Sequence, residues 1–209
     1  MSRTATCHAD TQSRCSAPAS EGVLSLRVTP RLGGPAATVQ LRYSLDGRRD
    51  GPWRVVLGGI SAGHRPGGEG GWWPQQVGPG RAIDTDECAV LGLEYLGELP
   101  EGWRGVTPHD QAALVAAALD AFGVDAVEAV IGASYGGAVA LAFGERWPER
   151  VRRVVVLSAA HRPAPMASAQ RAIQREILRA GIAAGTPEQA VALARALAVT
   201  TYRSDAEFA

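Results

Sequence analysis

The sequence has no lysine and no asparagine, so all 21 of its basic residues are arginine, and they balance 21 acidic residues to a formal net charge of zero. These absences exclude a Walker A phosphate loop, a lysine Schiff base, a Ser-Lys dyad and a Cys-His-Asn triad. Balanced charge without a basic run also argues against a binder of nucleic-acid backbones, which need clustered cations. Three cysteines (Cys7, Cys15 and Cys88) have neither the even count of a disulfide framework nor the CxxC spacing of a zinc site, so no metal is expected. No apolar stretch reaches the ~20 residues that span a bilayer. The first 21 residues are rich in Ser, Thr, Ala and Arg and lack the apolar segment of a secretory signal. They read as a disordered tail, with His8 part of it, on a cytoplasmic protein.

What is present is a chain of 209 residues, 46% apolar, enough for one domain with a sizeable core. Val23–Val28 and Thr38–Tyr43 alternate apolar and polar residues, as half-buried strands do. With Pro30, Gly33, Gly34 and Pro35 between them they form a hairpin at a sheet edge. Trp53–Leu57 reads as a more central strand ending in Gly58-Gly59, and Cys88–Leu96 as another buried strand. Between them, Gly63 to Gly80 is too rich in Gly and Pro for helix or strand, and its adjacent Trp72 and Trp73 place it as an ordered loop across the sheet's end.

Thr107-Pro108-His109-Asp110 has the chemistry of a helix start, and the helix runs to about Phe122 and stops at Gly123. A strand at Ala126–Ile131, a helix at Gly136–Arg146 stopped by Pro148, and an apolar strand at Val151–Ser158 follow. This alternation predicts an α/β fold with a mostly parallel sheet covered by helices on both faces. Met166–Ala180 and Pro187–Val199 read as two successive helices, the second opening with a capping-box-like Thr186-Pro187-Glu188-Gln189. Two helices without an intervening strand suggest the start of a helical lid. The expected organisation is a tail at 1–21, a core at 22–162 and an incomplete lid at 163–209.

Gly132-Ala133-Ser134-Tyr135-Gly136 follows a strand and precedes a helix. In that context the pattern is a nucleophile elbow: a tight turn lifts the serine hydroxyl above the sheet, and the glycines admit a close backbone. An acyl-serine intermediate also needs two donors for its oxyanion. The expected donors are the backbone N–H groups of Tyr135 and Ile60, with Gly58, Gly59 and Ser61 lining the substrate side of that loop. Of the histidines, His109 sits at a helix start as a surface residue. His64 and His161 lie on loops near strand ends, and neither occupies the usual place of the base, which follows the nucleophile and an acid in the order Ser, Asp/Glu, His.

At these residues the sequence resembles the homoserine O-acyltransferases of methionine biosynthesis, a branch of the α/β-hydrolase fold. The resemblance runs from roughly Val23 to the end. It rests on Gly58-Gly59-Ile60-Ser61-Ala62-Gly63, on Gly71-Trp72-Trp73 with Val77-Gly78-Pro79-Gly80 and Asp84-Thr85, and on the serine motif. It continues in Ser158-Ala159-Ala160-His161-Arg162 and Thr201-Tyr202-Arg203-Ser204. The resemblance implies ping-pong acyl transfer, with Ser134 taking an acyl group from a CoA thioester and passing it to an amino-acid hydroxyl. No cofactor is held; the thioester, succinyl-CoA ahead of acetyl-CoA, is a co-substrate, and the acceptor is homoserine, with serine as the alternative. A general serine hydrolase and an inactive truncated remnant are the other readings.

The family's catalytic Asp and His have no counterpart before Ala209, so the C-terminal strands read as missing and little turnover is expected of the chain alone. Arg171 and Arg175, spaced i, i+4, project from one helix face, and arginine holds carboxylates bidentately. They are the candidate readers of the acceptor or succinyl carboxylate. A homodimer through the lid fits the family, and neither nucleic acid nor membrane is an expected partner.

Overall fold

The structure, a computed structural model, describes residues 20–208 and divides into two compact units, the first ending at Ala159 and the second beginning at Ala160. Cys7, His8 and Cys15 lie outside the described residues. In the first unit, β1 (Ser20–Val28) and β2 (Ala37–Gly47) form the expected antiparallel hairpin at the sheet edge, pairing Ser20 with Leu45 through Val28 with Ala37. The strand starts before Val23: Ser20 and Glu21, assigned to the tail by composition, are already paired.

The next elements are β3 (Trp53–Leu57), the two-residue strands β4 (Val77–Gly78) and β5 (Ile83–Asp84), and β6 (Ala89–Leu93). They are followed by α1 (Pro108–Ala121), β7 (Val127–Ala133), α2 (Tyr135–Arg146) and β8 (Val151–Leu157). The main sheet orders them β1-β2-β6-β3-β7-β8, antiparallel through β2/β6 and parallel from β6 to β8.

Strand alternation splits the core in two. Val55 and Leu57 of β3 face one cluster with Leu114, Leu119, Val139 and Phe143 of α1 and α2. Val56 faces the other, with Val77, Ile83, Cys88, Val90, Ala129 and Ile131. Helices were expected on both faces. Among the described residues of this unit, α1 and α2 share the first cluster, and the second is covered instead by Trp72 and Trp73 of the long loop, their rings stacked 5.5 Å apart. That loop is not wholly irregular, because its Val77–Gly78 pairs in parallel with Ile83–Asp84.

Two other expectations change for local reasons. Cys88–Leu96 yields a shorter strand, because the buried Gln111 side chain of α1 accepts from the Leu96 N–H (3.2 Å) and donates to the Leu96 carbonyl (3.3 Å), taking the groups a neighbouring strand would use. The apolar run of β8 was expected to be buried, yet Val154, Val155 and Leu157 are 37–38% exposed at the outer edge of the sheet. Successive residues point to opposite faces; α2 packs on one of them, where a Cβ on Gly144 would lie 2.8 Å from the Val154 side chain, and Val155 stands on the other.

The second unit pairs α3 (Pro165–Ala183) with α4 (Pro187–Val199). A Cβ on Gly181 would lie 2.1 Å from that of Ala190, so the glycine sets how closely these helices approach, and Gln174 Nε2 donates to the Ala194 carbonyl at 2.9 Å. The capping box expected at Thr186 does not form. The Thr186 N–H is tied back to the Gly181 carbonyl at the end of α3 (2.8 Å), which holds the residue out of the extended geometry capping needs. Thr107, at φ −104° and ψ 164°, does form a reciprocal box with Asp110.

Candidate active site

Ser134 joins β7 to α2 at φ +54° and ψ −117°, a conformation that costs a non-glycine residue about 1–3 kcal/mol. The surroundings enforce it. The Ser134 N–H donates to the Leu157 carbonyl of β8 (2.8 Å), and its own carbonyl accepts from Gly137 (3.0 Å). A Cβ on Gly132 would meet the Gly136 carbonyl oxygen at 2.1 Å, and one on Gly136 would meet the Leu57 carbonyl oxygen at 2.3 Å. Both glycines are therefore required for α2 to start flush against β3 and β7. The result is an exposed Ser134 whose hydroxyl has no hydrogen-bond partner among the described residues.

The loop after β3 lies against the same turn. The buried Gly58 gives its carbonyl to two donors, the Gly136 N–H (2.9 Å) and the Tyr95 hydroxyl (2.7 Å). A Cβ on Gly58 would lie 2.3 Å from that of Ala62 and 2.9 Å from the Trp72 ring, whereas one on Gly59 would meet nothing within 4 Å. The chain then turns tightly, Ala62 N–H to Gly59 O at 2.9 Å, leaving Ile60 68% exposed and Ser61 exposed. Neither the Tyr135 nor the Ile60 N–H donates to any group among the described residues. Unused backbone donors and an unused serine hydroxyl are the kinds of group that an acyl-serine intermediate requires.

Tyr95 is the residue that sequence reasoning missed. Its ring packs edge-to-face on Tyr135, with centroids 4.9 Å apart, so one side chain braces both sides of the elbow. Burial pushes its hydroxyl well above the usual tyrosine range, which keeps it a neutral donor. Only an aromatic just past a strand hinted at it.

No imidazole among the described residues bonds to Ser134. The His64 Nε2 sits 3.7 Å from Glu21, whose carboxyl the paired Arg65 holds below its ordinary range, and the His64 backbone carbonyl accepts from Ser44 (2.7 Å). His109, at the start of α1, lies 3.0 Å from Glu145 of α2. His161 is exposed in the second unit. The buried Cys88 thiol donates to the Asp84 carbonyl (2.9 Å), and burial raises it above the usual cysteine range, so it is a packing residue rather than a second nucleophile.

Arg171 and Arg175 lie in the second unit, both exposed along α3. They line one groove with Arg195 of α4, a third arginine that helix periodicity within α3 could not reveal.

A family model described as alpha/beta hydrolase fold matches residues 80–180. The chain is 37% identical over 199 residues to a homoserine O-succinyltransferase of Xanthomonas campestris pv. campestris, covering 91% of this chain and 53% of that protein. It is 34% identical over 212 residues to a homoserine O-acetyltransferase of Clavibacter michiganensis subsp. michiganensis, covering 84% and 54%. Among solved structures, a homoserine O-acetyltransferase of Bacillus anthracis superposes with a TM-score of 0.76 at 20% identity, covering 87% of this chain and 59% of that one. An esterase, E22, superposes at 0.79 and 19% identity, covering 91% and 63%. These two structural likenesses speak for the fold alone. The elbow and the sheet order, together with these sequence matches, place the chain in the α/β-hydrolase fold, in the homoserine O-acyltransferase family, spanning about half the length of the curated relatives it matches.

Proposed function

We propose that this chain carries the nucleophile and oxyanion elements of an acyl-CoA-dependent O-acyltransferase acting on homoserine, with succinyl-CoA as donor ahead of acetyl-CoA and serine as the alternative acceptor. The observation that carries the reading is Ser134 itself: a strained, exposed serine with a free hydroxyl, beside the unengaged N–H groups of Tyr135 and Ile60. In the first half-reaction the Ser134 Oγ attacks the thioester carbonyl, the two amides hold the developing oxyanion, and the C–S bond breaks as CoA leaves with the proton. In the second, the acceptor hydroxyl attacks the acyl-serine, its proton returns to Ser134 Oγ, and the O-acyl amino acid departs.

Gly58, Gly59 and Ser61 border the acyl group in this scheme; Arg171 and Arg175, on the second unit, are by themselves suited to an anionic group such as the acceptor or succinyl carboxylate. A small-molecule enzyme of the cytoplasm, paired through its two-helix unit, is the setting that fits the reading.

Intact-protein and peptide mass spectrometry after exposure to succinyl-CoA or acetyl-CoA tests it. Acyl mass on the peptide carrying Ser134, absent in Ser134→Ala, is the expected result. An unmodified serine with both donors overturns the transferase. Turnover of p-nitrophenyl esters without CoA release in the presence of homoserine assigns the site to hydrolysis instead.

A further inference from the structure

Among the described residues, only Ser134 and Ser158 hold a positive φ without being glycine, at +54° and +53°. They occupy corresponding places at the ends of neighbouring strands. β7 and β8 run in parallel with Ala133 opposite Leu157, and each serine is the next residue on its strand. Ser158 is held from both sides. The Leu157 carbonyl before it accepts the Ser134 N–H at 2.8 Å, and Ala159 after it lies against the first turn of α2, where a Cβ on Gly137 would fall 2.7 Å from its own.

Glycine would take this turn without a Cβ penalty, and Asn or Asp are the side chains that otherwise tolerate it. Serine gains nothing from the protein in exchange. Ser158 is exposed, and its hydroxyl has no hydrogen-bond partner among the described residues. Strain imposed by the surroundings and unrewarded by any local bond points to a side chain that serves a bound molecule. The carboxyl ends of parallel strands are where such molecules sit.

We propose that Ser158 is a specificity-determining residue whose hydroxyl donates to the terminal carboxylate of the acyl group carried by Ser134. The inference rests on the acyl-serine reading above and names the residue that selects the acyl group. β7 lies between β3 and β8 in the sheet. In that reading one oxyanion donor belongs to the loop after β3, so the carbonyl oxygen turns to that flank and the acyl chain leaves toward the β8 flank, where Ser158 stands. A hydroxyl donating to a carboxylate makes a short, charge-assisted bond, whereas a methyl terminus offers it no acceptor.

Two activated esters test this without CoA: mono-p-nitrophenyl succinate and p-nitrophenyl butyrate, whose acyl chains are equally long and end in a carboxylate and a methyl. Burst release of p-nitrophenolate, with Ser134→Ala as the blank, gives the ratio of the two acylation rates. Wild type is expected to favour the succinate. Ser158→Gly, which relieves the strain, and Ser158→Ala, which keeps it, should both lower the ratio about tenfold, because both lose the hydroxyl. Ser158→Asn, a donor that tolerates positive φ, should restore part of it. No preference in wild type, or a ratio that holds in Ser158→Gly and Ser158→Ala, overturns the proposal. So does a ratio lost in Ser158→Ala alone, which would assign the effect to the backbone. Mass spectrometry after succinyl-CoA separates this inference from the transferase reading. No adduct from succinyl-CoA, with the ester ratio moving as expected, sinks the transferase and leaves Ser158 its role. An adduct with an unmoved ratio does the reverse, and a wild type acylated by neither ester overturns both.

Discussion

The Tyr95 hydroxyl donates to the Gly58 carbonyl at 2.7 Å, and the same oxygen receives the Gly136 N–H of the elbow helix at 2.9 Å. One carbonyl thus ties the loop after β3 to the turn that holds Ser134. Removing the hydroxyl frees one side of that tie while leaving the ring on Tyr135. Tyr95→Phe should slow acylation of Ser134 by about tenfold and cost about 1 kcal/mol of stability, the net worth of one hydrogen bond. Stopped-flow release of CoA and a urea melt check the two parts. An unchanged acylation rate would show that the loop holds its position without Tyr95.

Strain at Ser134 predicts a trade between stability and chemistry. Ser134→Gly should raise stability by about 1 kcal/mol and abolish the acyl adduct, because glycine enters positive φ without a Cβ penalty. Ser134→Ala should abolish the adduct without that gain. Ser158, at φ +53° just after β8, provides a control: Ser158→Gly should stabilise while leaving the nucleophile in place. Thermal melts of the three variants, ranked against wild type, decide it.

Glycines of the site differ in what they can tolerate. Gly136→Ala would push a methyl onto the Leu57 carbonyl oxygen and should destabilise by about 3 kcal/mol or more. Gly59→Ala meets open space and should leave the fold unaffected, so any loss of acylation in that variant comes from the substrate side of the loop. Denaturant midpoints alongside acylation rates separate the two effects.

Arg54 on β3 and Glu128 on β7 meet at 2.8 Å, both side chains about four-fifths buried, and Arg153 adds a second contact to the same carboxylate. The Arg54 hydrogen bond holds the Glu128 carboxyl below its ordinary range. A depressed carboxylate contributes stability that is complete above the unfolded value, about pH 4.3, and is lost as pH falls through the folded value. Glu128→Gln should therefore lower stability at pH 7 by up to about 1 kcal/mol and approach wild type below pH 3. Melts across pH 3 to 7 would show the two curves converging.

On β8, Val155→Arg should reduce self-association seen by light scattering, since an exposed apolar edge strand is a template for pairing with other chains. The same substitution in the buried β7 neighbour Ile131 should unfold the protein, which distinguishes an open face from a merely edge-placed one.

Much of this molecule is legible locally. The strand–turn–helix around Ser134, the Thr107-Pro108 start of α1 and the β1–β2 hairpin each depend on residues a few positions apart, where glycine, proline and capping chemistry act directly. The insertion of β6 between β2 and β3 is a pairing of distant strands that no local pattern encodes. Tyr95 and Gly58 are 37 positions apart, and Arg195 joins Arg171 and Arg175 only because Gly181 lets α4 approach. Thr107 and Thr186 make the point within one motif. Both precede proline, yet only the first caps, because the second is held by the helix before it.

The stacked Trp72 and Trp73, at 5.5 Å and 11° between planes, are an optical instrument built into the site. Two indoles that close couple electronically through their strong far-ultraviolet band and give a circular dichroism couplet there that isolated tryptophans lack. Because a Cβ on Gly58 would fall 2.9 Å from the Trp72 ring, any shift of the loop after β3 must disturb that pair. The couplet therefore reports the position of the loop in solution, without a label and without substrate turnover.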